Sequence, residues 1–307
     1  MAAIYRALIS TLLDQVRRVP RFLEGRAAPG GVGLALGGGF ARGFAHLGVL
    51  QVLEENQIPI SCITGTSVGS ILGAAYASGV PLARIAAVCR TIRFRDFGRL
   101  RISRKGLASN DRLGDLVRRC FISLTFEELL IPTAIVATDL GTGEPYIFTR
   151  GDLIGAVRAS CAFPGLFEPV QVEEHCLADG GLVAPVPTEA ARGLGAQCVL
   201  GVSVGFNNWN GEAPTNLFQV ISRAVAAAQK HQTDAWTNAA DIMLEPEVQH
   251  LDWDDFQRAD EAIAAGVASA KAALPQLRQL LQLPANSPSE SPSQAARGTD
   301  WLRGAAL

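Results

Sequence analysis

Gly65-Thr66-Ser67-Val68-Gly69 sets a serine hydroxyl between two glycines, at the end of an apolar, β-branched run beginning at Ile60 and ahead of an Ala/Leu-rich helical pattern. Strand, sharp turn and helix in this order, with G-x-S-x-G at the turn, describe a nucleophile elbow. The flanking glycines let the backbone bend tightly enough to push the hydroxyl out of the sheet end. Ser67 is therefore a candidate nucleophile, although a Gly/Ser turn that only joins a strand to a helix would carry the same five letters. A serine nucleophile needs a base for its proton and fixed donors for the charge that develops on the attacked carbonyl. The rest of the chain has to supply both.

The elements around two further glycine clusters bear on this. Val32 to Leu36 reads as a short buried strand, Gly37-Gly38-Gly39-Phe40-Ala41-Arg42-Gly43 as a glycine-rich loop, and Phe44 to Asn56 as a helix. With the strand that runs up to Ser67 they form a βαβ unit, so the sheet is parallel here and both loops open at one edge of it. A glycine loop before a helix can cradle a phosphate. The spacing argues against that: G-x-G-x-x-G would need glycine at Arg42 or at Phe40, and the G-K-[ST] ending is missing. What remains is a set of backbone N–H groups at a helix N-terminus, the arrangement of an oxyanion hole, with Gly37, Gly38, Gly39 and Phe40 as candidate donors. Arg42 reads as a brace for the loop or a contact to a substrate phosphate, and equally as a solvated helix-end arginine. Further on, short strands at 170–172 and 175–178 deliver Asp179-Gly180-Gly181, an acid on a tight turn, which alone would pass for an ordinary Asp-Gly hairpin. Asp139, at the end of the strand Pro132 to Thr138, is a second acid.

Composition bounds the function classes. The chain has 307 residues, 48% of them hydrophobic and 18% charged, which describes a globular protein with a substantial core. A net charge of -2 offers no general attraction for nucleic acid. Six cysteines without a C-x-x-C pair point to a reducing compartment, with no disulfide framework, metal site or cofactor expected. No apolar run reaches the roughly 20 residues of a membrane span. Residues 1–23 carry an apolar helical stripe from Ile4 to Val16 and arginines at Arg17, Arg18 and Arg21, an amphipathic helix that packs on the main domain or anchors it to anionic lipid. The charged residues Arg6 and Asp14 spoil a signal-peptide core, so the expected place is the cytoplasm, with peripheral membrane contact as the sharper reading. Arg90 to Lys105 is strongly basic with Phe94 and Phe97 interleaved, a second candidate for headgroup contact or a solvated connection. Thr125-Phe126-Glu127-Glu128 reads as a capping box. The expected organisation is a helix and linker at 1–31, a catalytic core at 32–207, a helical cover at 208–283 and a disordered Ser/Pro-rich tail at 284–307.

GGGFARG, GTSVG and DGG, in this order, resemble the patatin-like phospholipase family, bacterial branch. The joining text agrees: FARGFAHLGVLQVLEE, ASCAFPGLFEPV and LADGGLVAPVPTEAARGLGA. The resemblance covers roughly residues 32 to 265. It implies a three-layer α/β/α sandwich with a mostly parallel central sheet and a serine lipid acyl hydrolase working through a Ser-Asp dyad. Residue by residue it assigns Ser67 as nucleophile, Asp179 as acid and the Gly37–Gly39 loop as oxyanion hole, with Arg42, Gly43, Gly65, Gly69, Gly180 and Gly181 completing the motifs. Phe40 departs from it, standing where many relatives have glycine; a bulky side chain there resists a φ above zero.

The residues are compatible with a dyad. The histidines after Asp179 are His231 and His250, neither in a catalytic context, while His46 and His175 read as structural. Asp179 is preferred to Asp139 for its double-glycine turn and matching surroundings. The expected substrate is a fatty-acyl ester, of a phospholipid, lysophospholipid or simple ester. An acyltransferase with the same dyad, and a binding or regulatory module with a vestigial one, are the alternatives.

Overall fold

The computed structural model describes residues 30–100, 103, 105–205, 213–230 and 236–283. The N-terminal helix of 1–23 and the tail from 284 lie outside the described residues.

Ten short strands are present among the described residues: β1 Val32–Leu36, β2 Ile60–Thr66, β3 Arg99–Leu100, β4 Ala108–Ser109, β5 Thr133–Asp139, β6 Pro145–Phe148, β7 Val170–Val172, β8 His175–Asp179, β9 Cys198–Val202 and β10 Ile242–Leu244. Eight of them form one sheet in the order β10-β9-β1-β2-β5-β8-β7, with β6 also on β5, while β3 and β4 make a small hairpin. Strands β10, β9, β1, β2 and β5 are mutually parallel, and β8 and β6 run antiparallel to β5. The expected βαβ unit is present, β1 lying beside β2 with Leu36 opposite Gly65.

The helices are α1 Ala45–Glu55, α2 Val68–Ala77, α3 Leu82–Thr91, α4 Asp111–Cys120, α5 Leu153–Ser160, α6 Thr188–Gly193, α7 Leu217–Lys230 and α8 Ala259–Leu280. They follow from the side-chain pattern of the strands. Every residue of β1 is buried, as a parallel strand covered on both faces must be. Val32, Leu34 and Leu36 join the main core with α1, α2 and α8. Ala35 points to the other face, against Val186 and Ala191 of the α6 region. Helix, sheet, helix: the fold is the three-layer α/β/α sandwich. Helix α8 presses so closely on α1 that a side chain at Gly48 would collide with the Ile263 carbonyl, and one at Gly266 with the Ala45 carbonyl.

Three expectations change. The segment read as a helical cover contains β10, whose Ile242 and Leu244 are buried; three residues between helical stretches give too short an alternation to register. Phe94 and Phe97, read as candidates for headgroup contact, face inward instead. Phe94 packs on Phe167 and Trp253, and Phe97 on Phe256. Thr125 makes no capping hydrogen bond to the 3-10 turn Phe126–Glu128; the Glu128 carboxylate accepts from Leu124 N at 3.3 Å instead. Among the described residues no helix is long and apolar enough to cross a membrane.

Candidate active site

β1 lies between β2 and β9, so the connections leaving its two neighbours diverge and open a crevice at the carboxyl ends of these strands. The glycine loop leaves β1 there, and Ser67 leaves β2. Ser67 sits at φ 53°, ψ -124°, a left-handed geometry that costs about 1–3 kcal/mol and persists only where the surroundings hold it. They hold it from both sides. The Ser67 N–H donates to the Ser160 hydroxyl at 2.9 Å. The Ser67 carbonyl accepts from Ser70 N at 2.8 Å and from the Ser70 hydroxyl at 2.6 Å. Gly69 is demanded by close approach, because a Cβ there would collide with the Leu36 carbonyl. Gly65 and Gly43 pack likewise, against the Ser70 and Val68 positions. The positive end of α2 lies at Ser67 and favours negative charge there.

Asp179 arrives at the end of β8, opposite Ala137 of β5. Its carboxylate caps the following 3-10 turn by accepting from Gly181 N at 2.8 Å, so this turn is a route out of the sheet and not a hairpin. Gly180 lies against the Val136 carbonyl with no room for a side chain. The segment that follows is tied across the sheet edge: Thr64 donates to Pro187 O and Thr66 to Ala184 O, both at 2.8 Å. Asp179 is 4% exposed and Ser67 8%, and both line one cavity with Gly38 and Gly39. Burial pushes the Asp179 carboxyl up to about 6, against the lowering effect of the Gly181 N–H and a hydrogen bond with the Ser67 side chain. A buried carboxylate with few donors is a stronger base than one in water.

The oxyanion loop differs from expectation. Gly37 N donates to Val202 O and Gly38 N to Pro185 O, each at 3.0 Å. Those two amides anchor the loop and are removed from the candidate donors. The Gly39 N–H has no acceptor among the described residues and borders the cavity. Phe40 takes φ 51°, the region a bulky residue resists at about 1–2 kcal/mol. Its ring is held edge-on by Phe163, Phe218 and Trp253, with centroids 5.3–5.6 Å away, and such pairs contribute about 0.5–1.5 kcal/mol each. The aromatic cluster offsets the backbone strain.

Arg42 is a brace. It is buried, donates from Nε to Leu251 O at 2.8 Å, and lines neither cavity that touches Ser67. His46 is structural too: its Nε2 donates to Gly37 O at 2.8 Å, and burial lowers it to about 4, leaving it neutral. Asp139 pairs with His175 Nδ1 at 2.8 Å and lines neither cavity. His250 lies 3.6 Å from Glu261 at the surface, and His231 is outside the described residues. Ser160 is the residue that the sequence reading missed. Its hydroxyl donates to Val136 O at 2.6 Å while accepting from Ser67 N, so one side chain ties the elbow to the carbonyl on which Gly180 rests. The serine in ASCAFPG was visible, but at a helix end it had only a local role to suggest. Among the described residues no group of three or more His, Cys, Asp or Glu side chains is placed to hold a metal ion.

The family model for patatin-like phospholipase matches residues 34–192, from the strand before the glycine loop to past the Asp179 turn. The chain belongs to the patatin-like phospholipase family. It is 39% identical over 176 residues to an NTE family protein of Mycobacterium tuberculosis, covering 56% of this chain and 49% of that one. It is 32% identical over 213 residues to patatin-like phospholipase domain-containing protein 6 of Homo sapiens, covering 66% and 15%. The chain thus spans about half the length of the mycobacterial relative and a small part of the human one. Among solved structures, VipD from Legionella pneumophila aligns with a TM-score of 0.48 at 16% identity, over 83% of this chain and 67% of that one.

Proposed function

We propose that the protein hydrolyses fatty-acyl esters through a Ser67–Asp179 dyad and an acyl-enzyme. Asp179 accepts the Ser67 proton as Oγ attacks the ester carbonyl, and the Gly39 N–H with the amino end of α2 stabilises the oxyanion. The protonated Asp179 then gives its proton to the departing alcohol. Water enters, Asp179 takes a proton from it, the hydroxide attacks the acyl carbonyl, and the proton returns to Ser67 as the fatty acid leaves. No group outside the dyad has to change protonation state over the cycle.

The observation that carries this reading is the strained, buried Ser67 sharing a cavity with a carboxyl raised to about 6. Perturbed acids in a cleft beside a nucleophile are where chemistry concentrates. Membrane contact belongs to the proposal only through the N-terminal helix, since the aromatic residues of the basic segment are turned inward. The test is hydrolysis of p-nitrophenyl esters and phospholipid by wild type, Ser67→Ala, Asp179→Asn and Asp139→Asn. The first two substitutions are expected to remove at least about a hundredfold of the rate and the third to leave it. Full activity in Ser67→Ala, or loss in Asp139→Asn alone, would overturn the assignment.

A further inference from the structure

We propose that residues 1–23 dock against the chain's own catalytic domain, with their apolar stripe in the groove between α1, α3 and α8 and their arginines beside Glu54 and Glu55. The inference stands apart from the hydrolase reading of Ser67.

The groove has a volume of about 870 Å³, room for several large side chains. Leu47 is buried at its base, Leu82, Ala86 and Ile263 are half-buried along it, and Ala83 is exposed. Leu82, Ala86 and Ile263 pack on the main core yet keep part of their surface in water, which an apolar occupant would remove.

The rim is charged at one end. Glu54, Glu55 and Gln57 stand where α1 finishes. Glu55 accepts from Gln51 Nε2 at 2.8 Å, and Glu54 from the Tyr76 hydroxyl at 3.5 Å. Burial raises the Glu54 carboxyl, so a cation beside it would be favoured. The last turn of α1 holds no basic residue, although a helix carbonyl end favours positive charge. Arg90, at the opposite end, is taken up by Asp260 at 2.8 Å. Among the described residues no arginine or lysine pairs with Glu54 or Glu55.

The segment outside the described residues fits this groove in reach, length and charge. The described chain begins at Gly30, and the Val32 N–H donates to Pro59 O at 2.8 Å, just past Gln57 in sequence, so the segment approaches from the acidic end. Residues 22–29 can span about 26 Å when extended. From Leu47 to Glu55 the groove follows about 12 Å of α1, and the stripe from Ile4 to Val16 is about 18 Å long as a helix, enough to cover it. Entry from this end sets the helix antiparallel to α1 and brings Arg17, Arg18 and Arg21 to Glu54 and Glu55. Three of the four arginines in residues 1–23 stand at that end, whereas a helix lying on an anionic bilayer carries its basic residues along the whole polar face. The placement of charge therefore favours the groove, and a stripe seated there is not free for a bilayer at the same time.

The test uses full-length protein in lipid-free buffer. Leu12→p-benzoylphenylalanine is irradiated and its cross-links are mapped by peptide mass spectrometry, with Leu82 to Ala86 or Ile263 of the same chain as the expected partners. Hydrogen exchange over residues 4–16 reads the docking without altering the stripe. Glu54→Gln with Glu55→Arg is expected to speed that exchange at least about threefold, and adding Arg17→Glu and Arg18→Glu to bring it back within about twofold of wild type, while unchanged exchange in β1 and α8 shows that the fold is intact. Cross-links that join two chains or fall outside the groove overturn the proposal, as does exchange that ignores the charge reversal or is not rescued. Exchange over residues 4–16 that slows only when phosphatidylglycerol vesicles are added assigns the stripe to a bilayer and overturns it too.

Discussion

Replacing Asp179 by asparagine should remove at least about a hundredfold of the hydrolysis rate while making the protein more stable above about pH 6. Both effects come from one cause. Burial raises the Asp179 carboxyl from an ordinary 3.8 to about 6, which corresponds to about 3 kcal/mol between its two protonation states. For a carboxyl raised by folding, the native state binds the proton more tightly than the unfolded chain. The contribution to stability is therefore fully present below about pH 3.8 and lost as the pH rises through about 6, so that at about pH 8 the ionised group opposes folding by up to that amount. Asparagine keeps an oxygen to accept from Gly181 N and carries no charge. Thermal melts at about pH 8 should show Asp179→Asn above wild type by about 5 °C or more, with the gap closing below about pH 5. Wild-type kcat/KM should fall about tenfold per pH unit below about 6, because the base must be ionised, while residual turnover in Asp179→Asn should lack that acid limb. If Asp179→Asn melted below wild type at every pH, or if wild-type activity were level down to about pH 4, the buried-base account would fail.

Other sites give sharper local tests. Ser160→Ala leaves the buried Ser67 N–H without its hydroxyl acceptor and removes the bond to the Val136 carbonyl, at about 1–3 kcal/mol. The melting point should fall and kcat should drop at least about tenfold with KM within about twofold, since Ser160 lines neither cavity; rescue by Ser160→Thr is expected, and unchanged kcat in Ser160→Ala would remove its positioning role. Phe40→Gly relieves a left-handed φ worth about 1–2 kcal/mol but deletes the ring contacts to Phe163, Phe218 and Trp253 and their buried area, so a net loss of about 1–3 kcal/mol should appear in chemical unfolding; a gain would mean that the strain dominates. Asp139→Asn removes the partner that raises His175. The His175 contribution is present below its ordinary pKa and lost as the pH rises through the raised one, so the melting point of this variant should fall more at about pH 5.5 than at about pH 8.5, with ester hydrolysis retained.

Local chemistry was legible in the sequence wherever it is written in consecutive residues. The βαβ unit, the elbow at Ser67 and the Asp179 turn depend on glycines whose need for close approach shows in the letters themselves. β10 was not legible, because three residues cannot establish an alternation and its place beside β9 is decided by packing across more than forty residues of chain. The donors of the glycine loop were not legible either. Which amides remain for an oxyanion depends on where the Val202 and Pro185 carbonyls fall, and neither is near the loop in sequence. Phe40 is the instructive case: its intrinsic resistance to positive φ was read correctly, and tertiary packing by Phe163, Phe218 and Trp253 overrode it. Ser160 acts across the same kind of distance, linking α5 to the elbow.

The central claim is that Ser67 is the atom that attacks the ester. Incubating the protein with a short-chain fluorophosphonate and mapping the adduct by peptide mass spectrometry, while following loss of esterase activity, tests it most directly. The account predicts a single phosphonate on Ser67, incorporated in step with inactivation, and no adduct in Ser67→Ala. An adduct on another residue that tracks inactivation, or full activity with Ser67 quantitatively modified, would contradict it.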